Sequence, residues 1–130
     1  MSTQTEREAV EKLLGRYAQV LNSADTASIP SYYTADGQFM PEGLKTTTSS
    51  ELKRRGEDYF RGKGFQIGYS VQNMVVDGRY AFVQATAQTV ATDLKANKEA
   101  LHTSQDFFVL RKEQEEWKIF RYTFNNVKEQ

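Results

Sequence analysis

The chain offers few side chains that could do chemistry. Among 130 residues there is no cysteine and only one histidine, His102. That inventory excludes disulfides, thiolate clusters and a multi-histidine metal centre, so no metal and no cofactor is expected. What remains are carboxylates, tyrosine hydroxyls and guanidinium groups set among apolar neighbours. Asp106 stands out, because a carboxylate on a central, largely apolar strand is rare unless it is paired or functional. His102, Ser104 and Phe108 share its parity along the strand. An acid held there could keep or move a proton. So could His102, whose imidazole titrates near neutrality, if it points inward and not to the rim. Tyr17, on the apolar stripe of a helix, is either a core tyrosine with a satisfied hydroxyl or a hydrogen-bond donor into a pocket. No glycine-rich phosphate loop, nucleophile elbow or metal motif accompanies these residues.

Positioning them requires helices first and strands afterwards. Val10, Leu13, Leu14, Tyr17, Val20 and Leu21 follow the spacing of one helical face. Thr5 with Glu8 reads as a capping box at its start. A second, short helix carries Ile29, Tyr32 and Tyr33; either Ser28 is its cap, or Asp25 is and Pro30 bends it. Asp36-Gly37 closes that element, and Gln38-Phe39-Met40 reads as a short strand. The polar stretch from Pro41 to Ser50 reads as a loop. Thr48 with Glu51 makes a second capping box, for a helix that carries Leu52, Tyr59 and Phe60 on one side and a solvated basic face on the other. Gly62 and Gly64 stop it.

From Phe65 the period switches to two, with Ile67, Tyr69 and Val71 on one side of a strand. The alternation slips around Asn73 to Val76, as at a bulge, and Asp77-Gly78 signals a two-residue hairpin. Strands follow over about Tyr80 to Val90, Ala100 to Arg111 and Trp117 to Val127, with a polar connection from Thr92 to Lys98. This order predicts an α+β domain spanning residues 1–130, three N-terminal helices packed on one face of a curved antiparallel sheet.

A symmetric turn around Glu113 to Glu116 sets Leu110 opposite Ile119, Phe108 opposite Arg121 and Asp106 opposite Thr123. One face then carries His102, Ser104, Asp106, Phe108, Leu110, Trp117, Ile119, Arg121 and Thr123. On it Arg121 pairs diagonally with Asp106. The opposite face is too apolar for water and is expected to be covered by a second copy of the chain, as a homodimer. Lys+Arg and Asp+Glu balance at 17 each, so no cationic surface for nucleic acid is indicated. No apolar run could span a bilayer, the polar N-terminus lacks a signal-peptide pattern, and a cytoplasmic location is expected.

Arg16-Tyr17-Ala18-Gln19-Val20-Leu21-Asn22-Ser23-Ala24-Asp25 resembles the first-helix segment of ketosteroid isomerases. Asp106-Phe107-Phe108 resembles their Asp-His-Phe. With the element order, this places the chain's resemblance in the nuclear transport factor 2-like superfamily, among SnoaL-like proteins. The resemblance implies a cone-shaped α+β barrel whose concave face carries Asp106 and Arg121, with Tyr17 and Asp106 where the isomerases keep two oxyanion donors. It also implies a missing part. The isomerases' proton-abstracting Asp falls at Pro41, which cannot act as a base, and Glu42 takes its place only if the loop register shifts by one. An arginine beside Asp106 would further favour its ionised form, opposite to what an oxyanion donor needs. The epoxide hydrolases of this fold use an Asp-Arg-Asp set, of which Asp106 and Arg121 supply only two members.

The reading that follows is a pocket lined by Tyr17, Phe39, Tyr59, Ser104, Asp106, Phe108, Arg121 and Thr123, binding a small apolar or aromatic molecule. Ketosteroid isomerase activity is not expected. Two alternatives stay open: an isomerase- or cyclase-type enzyme using Asp106 or His102 as acid/base with Tyr17 as oxyanion donor, and a non-catalytic dimeric interaction module.

Overall fold

The apolar stripe Val10, Leu14, Tyr17 and Leu21 becomes the buried face of helix α1 (Thr3–Asn22). The computed structural model describes residues 3–93 and 97–128. Helix α1 is already formed at Thr3, so Thr5 and Glu8 lie inside it and do not cap it. Asp25 then occupies the N-cap position of a 3-10 helix, Thr26–Tyr32, and accepts a hydrogen bond from the Ser28 hydroxyl at 2.6 Å. Ser28 is therefore within the element and is not its cap. Pro30 lies inside this short helix, as a proline can where few i→i−4 bonds are needed.

Strand β1 (Tyr33–Met40) begins where that helix stops. Asp36-Gly37 does not end a helix, as the sequence suggests; both residues sit inside β1, at a break in register between Tyr33 and Gln38. Gly37 is needed there because a Cβ would meet the Ile119 carbonyl oxygen at 2.9 Å. Within the following loop, Thr47–Thr48 forms the two-residue strand β2 against β1. A 3-10 turn, Ser49–Glu51, leads into α2 (Leu52–Phe60), and the Thr48–Glu51 capping box forms as predicted. Gly62 and Gly64 stop α2 in the left-handed region, at φ of +68° and +56°.

Four long strands then run as a meander: β3 (Gln66–Asp77), β4 (Tyr80–Asp93), β5 (Lys98–Glu113) and β6 (Glu116–Val127). The predicted bulge in β3 falls between Val71 and Asn73, and Asp77 pairs with Tyr80 across the tight turn at Gly78. Most of the polar connection between β4 and β5 lies outside the described residues. The sheet order is β2-β1-β6-β5-β4-β3. It is not wholly antiparallel: β1 pairs with β6 in parallel, because the chain crosses back over α2 and three strands before β6 arrives beside it. The result is a curved, unclosed six-stranded sheet with the helices on its concave face. Phe108, Leu110 and Ile119 are fully buried beneath Val10 and Leu14, and each such side chain contributes about 1.5–3 kcal/mol relative to exposure. Among the described residues no helix is long and apolar enough to cross a membrane.

Candidate functional site

The concave face depends on one extra residue in β6. Leu110 pairs with Ile119 as expected, but Val109 then pairs with Arg121, Phe108 with Tyr122 and Asp106 with Phe124. Phe120 is the inserted residue, and every side chain beyond it changes face. This corrects the sequence reading: Arg121 and Thr123 point to the convex side, and Tyr122 and Phe124 replace them above Asp106. The physical reason is the relative cost of burial. Turning Tyr122 and Phe124 inward buries two aromatic rings, whereas turning Arg121 inward would desolvate a guanidinium at a cost of several kcal/mol. Arg121 instead donates to the Asp36 carbonyl at 2.9 Å and lies 3.9 Å from the Phe120 ring centroid, with Arg111 4.5 Å from that same ring. Thr123 donates to the Met40 carbonyl at 3.1 Å.

Asp106 is 2 % exposed and has lost its expected cation. One oxygen accepts from the Ser104 hydroxyl at 2.6 Å and the other from the Tyr122 hydroxyl. Tyr122 in turn meets the Tyr69 hydroxyl at 2.9 Å. Since the Tyr122 hydrogen is committed to Asp106, Tyr69 is the donor in that second bond. Burial dominates the acid's protonation: it pushes the Asp106 carboxyl above the usual range, and the Ser104 and Tyr122 hydrogen bonds only partly offset this. Beside Asp106 stand Ala85 on β4 and Phe124 on β6; beside Ser104 stands Ala87. The two alanines keep the floor of the sheet low next to the acid.

Tyr17 reaches the same interior from α1, yet it does not bond Asp106. Its hydroxyl pairs with that of Tyr33 at 2.7 Å, and its ring meets Tyr122 edge-on at 6.2 Å. Burial pushes the hydroxyls of Tyr17, Tyr33, Tyr69 and Tyr122 well up, so all four stay neutral. Phe108 stacks on Tyr122 at 4.0 Å, and half-buried Phe39 lies 5.0 Å from Tyr122 and 5.9 Å from Phe124.

Other candidates sit apart from this cluster. His102 is exposed near the start of β5, paired with Thr89. Tyr59 is 45 % exposed at the end of α2, against Phe60 and Phe65, with the Lys63 ammonium 3.9 Å from its ring. Glu42 does not take up the base position: its carboxylate accepts from the Asn126 backbone N–H at 3.1 Å and from the Asn126 side-chain amide at 2.7 Å. Pro41 directly follows β1. Among the described residues no group of three or more His, Asp or Glu could hold a metal ion.

Sequence reasoning missed Tyr33, Tyr69 and Tyr122 as partners in the polar network. A signal existed for the last. Trp117 and Ile119 set one parity of apolar residues in β6, while Phe120, Tyr122 and Phe124 set the other, and such a conflict within one strand marks a bulge.

Helices packed on a curved, unclosed sheet in a cone-shaped α+β fold are the architecture of the nuclear transport factor 2-like superfamily. The SnoaL-like domain family matches residues 10–124, and the chain belongs to it. The chain is similar in structure to a ketosteroid isomerase-like protein from Erwinia carotovora atroseptica (24 % identity, TM-score 0.83, covering 94 % of this chain and 96 % of that one). It is similar too to an NTF2-like protein with a cystatin-like fold from Novosphingobium aromaticivorans (14 % identity, TM-score 0.84, covering 98 % and 85 %). A domain of unknown function with a cystatin-like fold from Nostoc punctiforme matches at 12 % identity and a TM-score of 0.82, covering 98 % and 81 %. At these identities the likeness concerns the fold. No curated protein matches the chain.

Proposed function

We propose that this chain binds a small apolar or aromatic molecule, with Asp106 as its polar anchor. The observation that carries this reading is the hydrogen bonding of Asp106. Both of its oxygens already accept from the protein, and burial favours its neutral form. The proton of the neutral acid is then left to donate to a carbonyl or hydroxyl oxygen of a ligand. Buried Ala85 and Ala87 are the small side chains beside it, and Phe39, Tyr69 and Phe124, all only partly buried, would supply the apolar wall. The loss of Arg121 from this face removes the objection that a neighbouring cation keeps Asp106 ionised.

The same observation favours a second, catalytic reading, in which neutral Asp106 stabilises a developing oxyanion in an isomerase- or cyclase-type reaction. Proton abstraction would have to come from the substrate or from water, since Pro41 cannot act as a base and Glu42 is held by Asn126. The convex face carries exposed Val75, Phe82 and Phe107, and a second copy of the chain is the cover we propose for it.

Native mass spectrometry of the purified protein tests the ligand reading, followed by titration with a panel of phenols and small ketones watched through the Tyr122 and Phe124 NMR signals. A co-purified mass, or saturable shifts weakened in Asp106→Asn, supports it. No added mass and no shift across the panel would overturn it.

A further inference from the structure

We propose that the crevice between α1 and β3 is a docking site for an extended peptide that carries a basic side chain and pairs with β3. Strand β3 is an edge of the sheet, so half of its backbone groups face away from β4. Helix α1 covers that edge at two points. Asn22 accepts from the Ile67 N–H at 2.6 Å and donates to the Ile67 carbonyl at 3.1 Å. Arg7 donates to the Met74 carbonyl at 2.8 Å. Because both polar groups of Ile67 face the edge, the period of two turns those of Tyr69 and Val71 the same way, before the bulge resets the phase. Among the described residues no side chain bonds those four groups.

Between the two covered points the helix withdraws. Arg7, Glu11, Gly15, Ala18 and Asn22 form one stripe of α1, with long polar side chains at its ends and small residues in the middle. The crevice they leave, about 390 Å³, is lined by Glu11, Leu14, Gly15, Ala18, Tyr69 and Val71. Nothing within the fold accounts for Gly15: a Cβ there would meet no atom within 4 Å, and glycine in mid-helix costs about 1 kcal/mol relative to alanine. The space it opens lies beside unpaired N–H and C=O groups, which an added strand would satisfy. A segment of about four residues spans Tyr69 to Val71 with its own groups in register. Glu11, which makes no ion pair among the described residues, supplies the charge that a lysine or arginine of the segment would meet.

The probe is a capped five-residue peptide alternating threonine and lysine, with a control of the same sequence N-methylated at every amide. Amide hydrogen exchange of Tyr69 and Val71 is read by NMR. The proposal expects the plain peptide to slow exchange at both amides by about tenfold or more, with no such effect from the methylated control. Gly15→Leu, which suits a helix better and fills the crevice, is expected to abolish the protection while the fold is kept. Equal protection by both peptides would mean charge attraction without strand pairing and would overturn the proposal. So would no protection, undiminished protection in Gly15→Leu, or protection that grows with protein concentration alone, which would mean pairing between two copies of the chain. None of these results depends on Asp106 holding a ligand.

Discussion

Replacing Tyr122 by phenylalanine tests whether the Asp106 network is what governs this interior. The ring is retained, so its stacking on Phe108 at 4.0 Å and its packing on Phe39 at 5.0 Å survive. Only the hydroxyl goes, and with it a donor to Asp106 and an acceptor for Tyr69. Asp106 keeps only its Ser104 hydrogen bond, and the Tyr69 hydroxyl loses its acceptor. A lost hydrogen bond costs about 0.5–1.5 kcal/mol between neutral groups and about 1.5–3 kcal/mol when one is charged, so losing two is expected to cost about 1–3 kcal/mol with Asp106 neutral and about 2–4.5 kcal/mol with it ionised. The sign of the pH dependence follows from burial. Asp106 has a folded pKa above its unfolded value, so its favourable contribution is present at low pH and is lost as pH rises through the folded value. Tyr122 is one of the groups that hold that pKa down, and its loss moves the window upward and deepens the fall. Urea denaturation of both proteins at about pH 4 and about pH 8 measures the difference. A penalty that is the same at both pH values, or below about 0.5 kcal/mol at pH 8, would refute the reasoning.

Further outcomes follow from other parts of the fold. Asp106→Asn removes the ionisation itself; its stability is expected to fall less than the wild type's as pH rises above the carboxylate range, in the same denaturation series. Arg121→Gln is expected to leave the Asp106 titration unmoved, because the guanidinium sits on the convex face; a shift of the Asp106 carboxyl resonance pH profile would contradict the register described. Gly37→Ala places a methyl 2.9 Å from one backbone oxygen and 3.0 Å from another, and thermal denaturation is expected to show a loss of about 1–3 kcal/mol. Phe107→Lys on the convex face is expected to convert a dimer into a monomer, measured by light scattering after size exclusion, with little change in thermal stability. A wild type that runs as a monomer would end the dimer reading.

The parts of this fold that were legible are those set by short-range chemistry. Asp77-Gly78 places a hairpin because a tight turn needs positive φ. Thr48 and Glu51 cap a helix because their side chains can reach each other's backbone. The slip near Asn73 shows because inward and outward residues alternate visibly on both sides of it. The long strands and their order followed from these. What was not legible lay in pairings between distant segments. The parallel contact of β1 with β6 has no local signature, and Asp36-Gly37 looks like a stop until Ile119 is known to pass close by. The candidate site divides the same way. Tyr17, Ser104, Asp106 and Phe108 all reach the concave interior from elements that the sequence defines well. Arg121 and Thr123 were misplaced because a turn that closes symmetrically at Glu116 says nothing of a residue inserted four positions later.

That inserted residue gives β6 two reading frames. Up to Ile119 the even-spaced apolar residues face the helices in one phase; from Arg121 onward the opposite phase does so. Deleting Phe120 would restore a single phase and leave Tyr122 and Phe124 under the helices, because Arg121 already pairs with Val109 and Tyr122 with Phe108. Closing the bulge with Phe120 retained would instead turn Arg121 and Thr123 inward and exchange the acid's tyrosine neighbour for an arginine. The character of the floor thus rests on whether one residue of β6 is looped out, two positions before the tyrosine that bonds the acid.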